Sequence, residues 1–132
     1  MMARGGGLSG ISGVSNDMRE VEAAAEQGNK RARLAVDVFV EAVRHYVGAY
    51  LAVLNGADLI AFTGGIGENG IAIRRAVCDR MDYVGIRLDP KRSEIRGQEA
   101  VISADDSRIA VWVVPANEEL IVARQTRDVL RK

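Results

Sequence analysis

Residues 59–70 constrain the fold of this chain more than any other part of its sequence. They begin as a continuous apolar run, Leu-Ile-Ala-Phe, and continue into a segment with glycine at positions 64, 65, 67 and 70. A short apolar run of this kind is typical of a strand that is covered on both faces, as in parallel sheets. Glycine permits positive φ angles and lets other groups approach the backbone closely. The segment therefore predicts a strand, a glycine turn and then a helix.

The glycine turn is a candidate anion-binding loop, because the free N–H groups at the start of a helix bind phosphates well. A tight strand-to-helix connection without a ligand is the alternative. The part from Gly65 to Gly70 formally matches the dinucleotide fingerprint, with Asp89 as a candidate ribose-binding acid. That match is weak, because two predicted helices precede the strand and Glu68 would place a carboxylate near the pyrophosphate.

Periodicity and capping signals predict four main helices. The first covers residues 18–27, and its N-cap, Asp17, stands three residues before Glu20 as in a capping box. The second begins at Asn29 or Lys30 and ends at residue 54, and the last covers residues 117–130 with Asn117 as its cap. The third, over about residues 70–81, is expected to turn its arginines toward water or a partner: Arg74, Arg75 and Arg80.

The other segments predict loops and short extended pieces. Residues 5–13, rich in glycine and serine, are expected to form a loop, and residues 84–88 a short extended segment. A second buried strand is predicted over residues 108–114. The order of elements indicates an α/β domain in which two parallel strands are joined by a helical crossover. The two candidate site loops, which are the glycine turn and the segment after residue 114, then follow the ends of the two strands. Open α/β sheets bind ligands there.

The long second helix changes character along its length. Its first half carries a charged stripe that is expected to face solvent: Arg33, Asp37, Glu41 and Arg44. Beyond residue 44, apolar side chains surround the helix, so this half is either central core or a subunit interface. The exposed apolar surface that a two-strand sheet would leave there predicts a homodimer. The lone His45 is expected to be a hydrogen-bonded core residue without a chemical role.

Bulk composition narrows the class of protein. The 132 residues are enough for one domain, and 18 basic residues balance 18 acidic ones, so no net field attracts nucleic acid or an anionic membrane. The single cysteine, Cys78, allows no disulfide framework and no cysteine metal cluster. The sequence shows no signal-peptide pattern and no apolar run near the ~20 residues of a membrane span. We therefore expect a soluble cytoplasmic protein.

Three motifs together resemble the acetate kinase family. They are Ser-Gly-Val-Ser-Asn-Asp-Met-Arg at residues 12–19, Phe-Thr-Gly-Gly-Ile-Gly-Glu-Asn at residues 62–69 and Pro-Ala-Asn-Glu-Glu-Leu at residues 115–120. The resemblance covers about residues 7–130 and corresponds to the C-terminal third of such an enzyme. It implies the C-terminal part of an actin-like or sugar-kinase-type ATPase domain with a ribonuclease H-like fold, helix-rich with a small parallel sheet. Residues 1–132 would then form a single partial, nucleotide-binding domain.

The resemblance also implies site residues. One side of an ATP/ADP pocket would be formed by Asp17, Met18 and Arg19. The other side would be formed by Gly65, Ile66, Gly67, Glu68 and Asn69. Glu118 matches the family's magnesium-associated glutamate, so Mg²⁺ is the implied cofactor. The structural alternatives are that Asp17 only caps a helix and that Glu118 only interacts with a helix dipole.

The family's catalytic histidine, aspartate and arginine segments and its His-Leu-Gly-Asn-Gly phosphate loop have no counterpart in this sequence. The chain is thus expected to bind the nucleotide of an enzyme that transfers phosphate between ATP and a short-chain carboxylate, without catalysing the reaction alone. The small carboxylate would bind to the missing N-terminal part. A non-catalytic dimeric nucleotide-binding module is the alternative, and an NAD-binding domain ranks last.

Overall fold

A computed structural model describes residues 6–116 and 118–130 of the chain, and the side chains of these residues except 118, 119 and 121. The helices are α1 (Gly7–Ser12), α2 (Met18–Glu26), α3 (Lys30–Val53), α4 (Gly64–Asn69), α5 (Ile71–Cys78) and α6 (Glu118–Leu130). The strands are β1 (Leu59–Phe62), β2 (Ala100–Val101) and β3 (Ala110–Val113). Short 3-10 turns cover Asp82–Val84 and Arg92–Glu94. Within these described residues, no helix is long and apolar enough to cross a bilayer.

The described strands form one mixed sheet in the order β1-β3-β2. The parallel pair predicted from the two apolar runs is confirmed, with Leu59 opposite Ala110 and Phe62 opposite Val113. The small sheet, expected to be parallel, is mixed, because β2 pairs with β3 in the antiparallel direction. Two residues carry too little periodicity to reveal such a strand in the sequence. The parallel pair places the ends of β1 and β3 at the same edge of the sheet.

The core lies between the sheet and the long helix α3. Its larger cluster joins the sheet to the end of α5: Cys78, Met81, Ile86, Ile102, Ile109, Val111 and Val113. A second cluster joins α2, α3 and α5 through Met18, Val40, Ile73 and Val77. Ile73 and Val77 thus form the buried face of α5. Burial is also the main cause that raises the pKa of Cys78, to about 12, so its thiol stays protonated and unreactive.

Two glycine-rich segments that were predicted as loop or turn are helical. Residues 7–12 form α1, which ends at Gly13 with a left-handed φ of 69°. Arg31 from α3 donates to the carbonyl oxygens of Gly10 and Ile11, so tertiary contacts supply the order that the local sequence lacks. The glycine turn after β1 is itself the short helix α4. Of residues 84–88, which were predicted to be extended, Val84 ends a 3-10 turn and Leu88 forms an isolated antiparallel bridge with Ser103.

The arginines of the helix predicted over residues 70–81 were expected to face water or a partner. Arg74, in α5, contradicts this prediction, because it is fully buried. Its Nη1 donates to the carbonyl oxygens of Gly67 and Glu68, and its Nη2 donates to those of Ser93 and Ile95. Burial lowers the pKa of Arg74, and repulsion from Arg96 and Arg75 adds to this effect. Four carbonyl oxygens compensate the desolvated charge, while its Nε has no partner among the described residues.

Arg44 also departs from the solvated stripe that was predicted for α3. Its Nη1 donates to the carbonyl oxygens of Ala76, Val77 and Asp79, at the C-terminal end of α5. A cation at this end of a helix satisfies carbonyl groups that lack a partner within the helix. His45, on the other hand, is exposed, so the expectation of a core histidine is wrong.

The second half of α3 divides between core and surface. Val47 and Leu51 pack against the core cluster of the sheet. Four large apolar residues in this half of the helix or at its C-cap remain exposed: Tyr46, Tyr50, Val53 and Leu54. The rings of Tyr46 and Tyr50 stack with their centroids 6.5 Å apart. The predicted excess of apolar surface is therefore present.

Candidate nucleotide-binding cleft

A cleft of about 620 Å³ lies between the beginning of α2 and the helix α4. Its walls are formed by Asn16, Asp17, Met18, Arg19, Glu22, Gly65, Ile66, Asn69, Gly70 and Arg96. Six of the eight residues that the sequence predicted to bind a nucleotide are among them. The fold therefore brings two motifs together that are more than forty residues apart in the sequence. A cleft of this volume is in the range of small-molecule sites, about 300–1,000 Å³.

On the α2 side, Asp17 is both a helix cap and an anchor for Arg19. Its carboxylate accepts a hydrogen bond from the backbone N–H of Arg19 at 2.9 Å and from Nε of the same residue at 3.0 Å. These bonds, that of the side chain first, lower the pKa of Asp17 to about 2. The Arg19 side chain is 86% exposed, yet its guanidinium is oriented by this pair. Met18 is buried in the core and contributes the floor of the cleft.

On the α4 side of the cleft, the glycines differ in how closely other atoms approach their backbone. A Cβ atom added at Gly65 would meet no atom within 4 Å, so this backbone is open to a ligand. A Cβ atom at Gly67 would lie 3.2 Å from the carbonyl carbon of Phe62, and one at Gly70 would lie 2.7 Å from the carbonyl oxygen of Ile66. Packing of α4 on β1 and α5 therefore explains Gly67 and Gly70. Of the two glycines that line the cleft, Gly65 and Gly70, Gly65 is the one without a packing reason of this kind.

Gly67 and Glu68 do not line the cleft, although the sequence predicted them as nucleotide residues. The carboxylate of Glu68 turns toward the end of β3, where its Oε1 accepts a hydrogen bond from the backbone N–H of Ala116 at 2.8 Å. The carbonyl oxygen of Glu68 accepts from Gly97 N–H and from Arg74. In this geometry Glu68 connects three segments around the cleft.

Four residues of the cleft were missed by the sequence analysis: Asn16, Glu22, Gly70 and Arg96. Asn16 and Glu22 flank the Asp-Met-Arg motif, and Glu22 stands one helical turn after Arg19, so helical periodicity could have suggested it. Arg96 lies in an irregular segment far from both motifs, and no signal in the sequence identifies it. The pKa of Glu22 is raised mainly by burial and further by the negative charge of Glu26. The positive charge of Arg96 lowers it.

The predicted magnesium ligand cannot be placed in this geometry, since the side chain of Glu118 lies outside the described residues, as does Asn117. The backbone of Glu118 begins α6, shortly after β3. In the described part of the chain, no group of three or more His, Cys, Asp or Glu residues could hold a metal ion.

Comparison with known proteins agrees with the three motifs. Residues 1–124 match the acetokinase family. The chain belongs to this family. It is 52% identical over 126 residues to the acetate kinase of Moorella thermoacetica. The matched region covers 96% of this chain but only 32% of that protein. The acetate kinase of Dictyoglomus turgidum is 52% identical over 120 residues, with 30% of its length covered.

Solved structures of this family share the fold. The acetate kinase of Porphyromonas gingivalis superimposes with a TM-score of 0.88 and 44% identity, and 96% of this chain covers 32% of it. A propionate kinase of Francisella tularensis gives a TM-score of 0.81 at 36% identity, with 93% of this chain and 31% of that protein covered. The chain therefore spans about a third of the length of these relatives. The predicted α/β fold of the acetate kinase type is confirmed.

Proposed function

We propose that this chain supplies one wall of the nucleotide site of an acetate kinase-like enzyme, which transfers phosphate between ATP and a short-chain carboxylate. One observation carries the proposal: residues 17–19 and the glycine segment, two motifs shared with acetate kinases, border the same cleft. The curated relatives are named acetate kinases, and one structural relative is named a propionate kinase. A short carboxylic acid is accordingly the proposed phosphate acceptor.

The chemistry of the cleft suits the adenosine part of a nucleotide. Gly65 leaves open backbone against which a flat base can pack, and Arg19 presents a planar cation for stacking or for contacts with oxygen atoms. The pair with Asp17 holds that guanidinium before a ligand arrives, which lowers the entropic cost of binding. Mg²⁺ is proposed as cofactor because Glu118 follows β3 and because carboxylates are preferred ligands of this ion. When bound, the ion would neutralise phosphate charge.

Two substitutions test the cleft by calorimetry with Mg-ADP. Gly65→Ala adds only a methyl group to open space, so the fold should be retained, and an alanine in helix α4 should even favour the helix. Binding should nevertheless weaken, because the methyl group occupies the surface proposed for the base. Arg19→Ala should weaken binding about tenfold through the lost cation. Arg33→Ala, an exposed arginine on α3 outside this cleft, is the matched control.

The results of this calorimetry would distinguish the proposed function from the dinucleotide-binding domain and the non-catalytic module. Unchanged Mg-ADP affinity in both Gly65→Ala and Arg19→Ala would mean that the nucleotide binds elsewhere, and the proposed wall would be rejected. Tighter binding of NAD than of ADP would instead support the dinucleotide-binding domain. Binding of Mg-ADP by a chain that never supports phosphoryl transfer, even when joined to the rest of a relative, would indicate the non-catalytic module.

We also propose that the exposed apolar face of α3 forms a symmetric dimer interface. Tyr50 is 62% exposed although it stacks with Tyr46, and Val53 and Leu54 extend the same apolar surface. Patches of this kind mark interaction sites, and in a twofold dimer each residue of the patch occurs twice in the interface. The partner is therefore a second copy of this chain.

Sedimentation tests the dimer. The unchanged chain should sediment as a dimer at micromolar concentration, and Tyr50→Glu should raise the dissociation constant of the dimer at least about tenfold, because two charges are then buried per interface. Tyr83→Glu is the control, since Tyr83 is exposed on a 3-10 turn outside this patch. A monomeric wild-type chain, or equal dissociation constants for wild type and Tyr50→Glu, would contradict the proposal.

A further inference from the structure

Arg96 is a charged residue of the cleft to which the described part of the fold gives no structural contact. It is exposed, it lines the cleft, and its guanidinium makes no hydrogen bond or ion pair with the described residues. The other arginines near it differ in this respect: Arg19 is bound by Asp17, Arg74 by four carbonyl oxygens, and Arg75 by Glu94. A guanidinium has five N–H donors in a planar fork, and those of Arg96 remain available to a ligand.

The backbone around Arg96 is held firmly. The residue before it, Ile95, accepts a hydrogen bond from the buried Arg74 at 2.6 Å. The residue after it, Gly97, donates its N–H to the carbonyl oxygen of Glu68 at 3.2 Å. Arg74 also binds Gly67 and Glu68, so the same buried cation fixes α4 and the segment of Arg96 relative to each other. Arg96 is therefore presented to the cleft from a fixed position.

Glu22 borders the cleft together with Arg96, and the two side chains influence each other's surroundings. The charge of Arg96 counteracts the rise in the pKa of Glu22 that burial causes. They form no ion pair within 4.0 Å in the described chain. A cation and a carboxylate that share a cleft without contact leave room for a polar, neutral group between them, such as the donors and acceptors of a nucleoside.

The position of Arg96 along the cleft indicates which part of a nucleotide it meets. Gly65 stands next to the end of β1, and anions bind beyond the carboxyl ends of parallel strands. Arg96 lies at the opposite end of α4, because the adjoining Gly97 is bonded to Glu68 and lies close to Asn69. The phosphates would accordingly point past Gly65 to the strand end, while the base packs along α4 against the open backbone of Gly65. Arg96 would be at the nucleoside end.

We propose that Arg96 is a further nucleotide-recognition residue, whose guanidinium contacts the base and ribose at the end of the cleft away from β1. The inference rests on the proposed nucleotide function and deepens it. A planar cation can stack on a purine and can donate to ring nitrogens and ribose oxygens at the same time. Arg96 and Arg19 would then approach the nucleoside from two sides of the cleft.

Adenosine and ADP, titrated separately into the chain, test this assignment. Arg96→Ala should weaken the binding of both ligands by the same factor, about five- to twentyfold, because the contact is with the part that they share. Arg96→Lys keeps the charge and loses the planar fork, so it should recover only part of the affinity. Arg124→Ala, an exposed arginine on α6 outside the cleft, should bind both ligands as the wild type does. Thermal unfolding should show equal stability for all four proteins.

Three results would overturn the inference. A loss confined to ADP would mean that Arg96 contacts phosphate, and equal affinities of wild type and Arg96→Ala would mean that it contacts no part of the ligand. In either case, weakened binding in Arg19→Ala and Gly65→Ala would leave the proposed function intact. A wild-type chain that binds neither ADP nor adenosine would overturn the inference and the proposed nucleotide site together.

Discussion

Replacement of Arg74 by methionine should remove a large part of the stability of the chain, although no ligand is proposed to touch this residue. Methionine fills a similar volume, but it leaves the carbonyl oxygens of Gly67, Glu68, Ser93 and Ile95 without the four hydrogen bonds that Arg74 donates. A buried acceptor that loses its partner costs about 1–3 kcal/mol. We therefore expect the free energy of unfolding to fall by about 3–5 kcal/mol, out of about 5–15 kcal/mol for a typical domain.

Arg75 provides the control, because it is the next residue of the same helix and its side chain stays partly exposed, with hydrogen bonds to Pro90, Ser93 and Glu94. Its side chain is 43% exposed, and its Nη2 donates to Glu94 at 2.7 Å. Arg75→Met should change the free energy of unfolding by about 1 kcal/mol or less, as is usual for surface ion pairs. Urea denaturation of wild type, Arg74→Met and Arg75→Met measures the difference directly, provided that the slope m stays constant.

Arg74→Lys separates the geometry of the arginine from its charge. The two Nη atoms of Arg74 reach acceptors on α4 and on residues 93 and 95, and a single ammonium group cannot reach both sets. The free energy of unfolding of Arg74→Lys should therefore be close to that of Arg74→Met. If Arg74→Met and Arg75→Met were equally stable, the four carbonyl bonds would contribute nothing net. The buried guanidinium could then not be what joins α4 to the segment of Arg96.

Those parts of the fold that depend on local signals were predictable from the sequence. The sequence placed the start of the long helix at Asn29 or Lys30, and Asn29 caps α3 by accepting from the backbone N–H groups of residues 31 and 32. The apolar runs of β1 and β3 predicted the parallel pair. Asp17 is a helix cap, as one of its two interpretations held, and its place on the cleft keeps the binding role open as a prediction.

The remaining features depend on contacts between distant segments. Arg74 was predicted to face water or a partner because charged residues are rarely buried, and its acceptors lie on α4 and on residues 93 and 95, whose position beside α5 the sequence does not reveal. Glu68 was assigned to the nucleotide by motif, whereas its carboxylate binds the backbone of a residue 48 positions later. Arg96 enters the cleft only because Arg74 and Glu68 fix the neighbouring backbone. Sequence motifs thus identified the walls of the cleft, but not the contacts that hold them.

A protein made of these 132 residues should form no acyl phosphate from acetate, ATP and magnesium in a coupled assay. The cleft has walls from α2, α4 and the segment of Arg96, and none of the described residues is proposed to reach the γ-phosphate or the attacking carboxylate. Phosphoryl transfer depends on cations placed around the transferred group, and the loss of a single such donor can cost about 100- to 1,000-fold in rate. An open cleft also remains wet, which weakens each electrostatic contact that is left.

A chimeric enzyme that contains this chain provides a second test, in which phosphoryl-transfer activity should appear rather than be absent. In the Moorella thermoacetica acetate kinase, the segment that this chain matches at 52% identity would be replaced by the chain itself. The chimera should form acetyl phosphate, because the groups around the γ-phosphate are then supplied by the remaining two-thirds of that enzyme. Introducing Gly65→Ala into the chimera should raise the KM for ATP more than it lowers kcat, since the methyl group obstructs the nucleotide and not the transferred phosphate. Turnover of acetate by the 132-residue chain alone at roughly one per second or faster would show that the catalytic groups are in this chain and that the one-wall account is wrong.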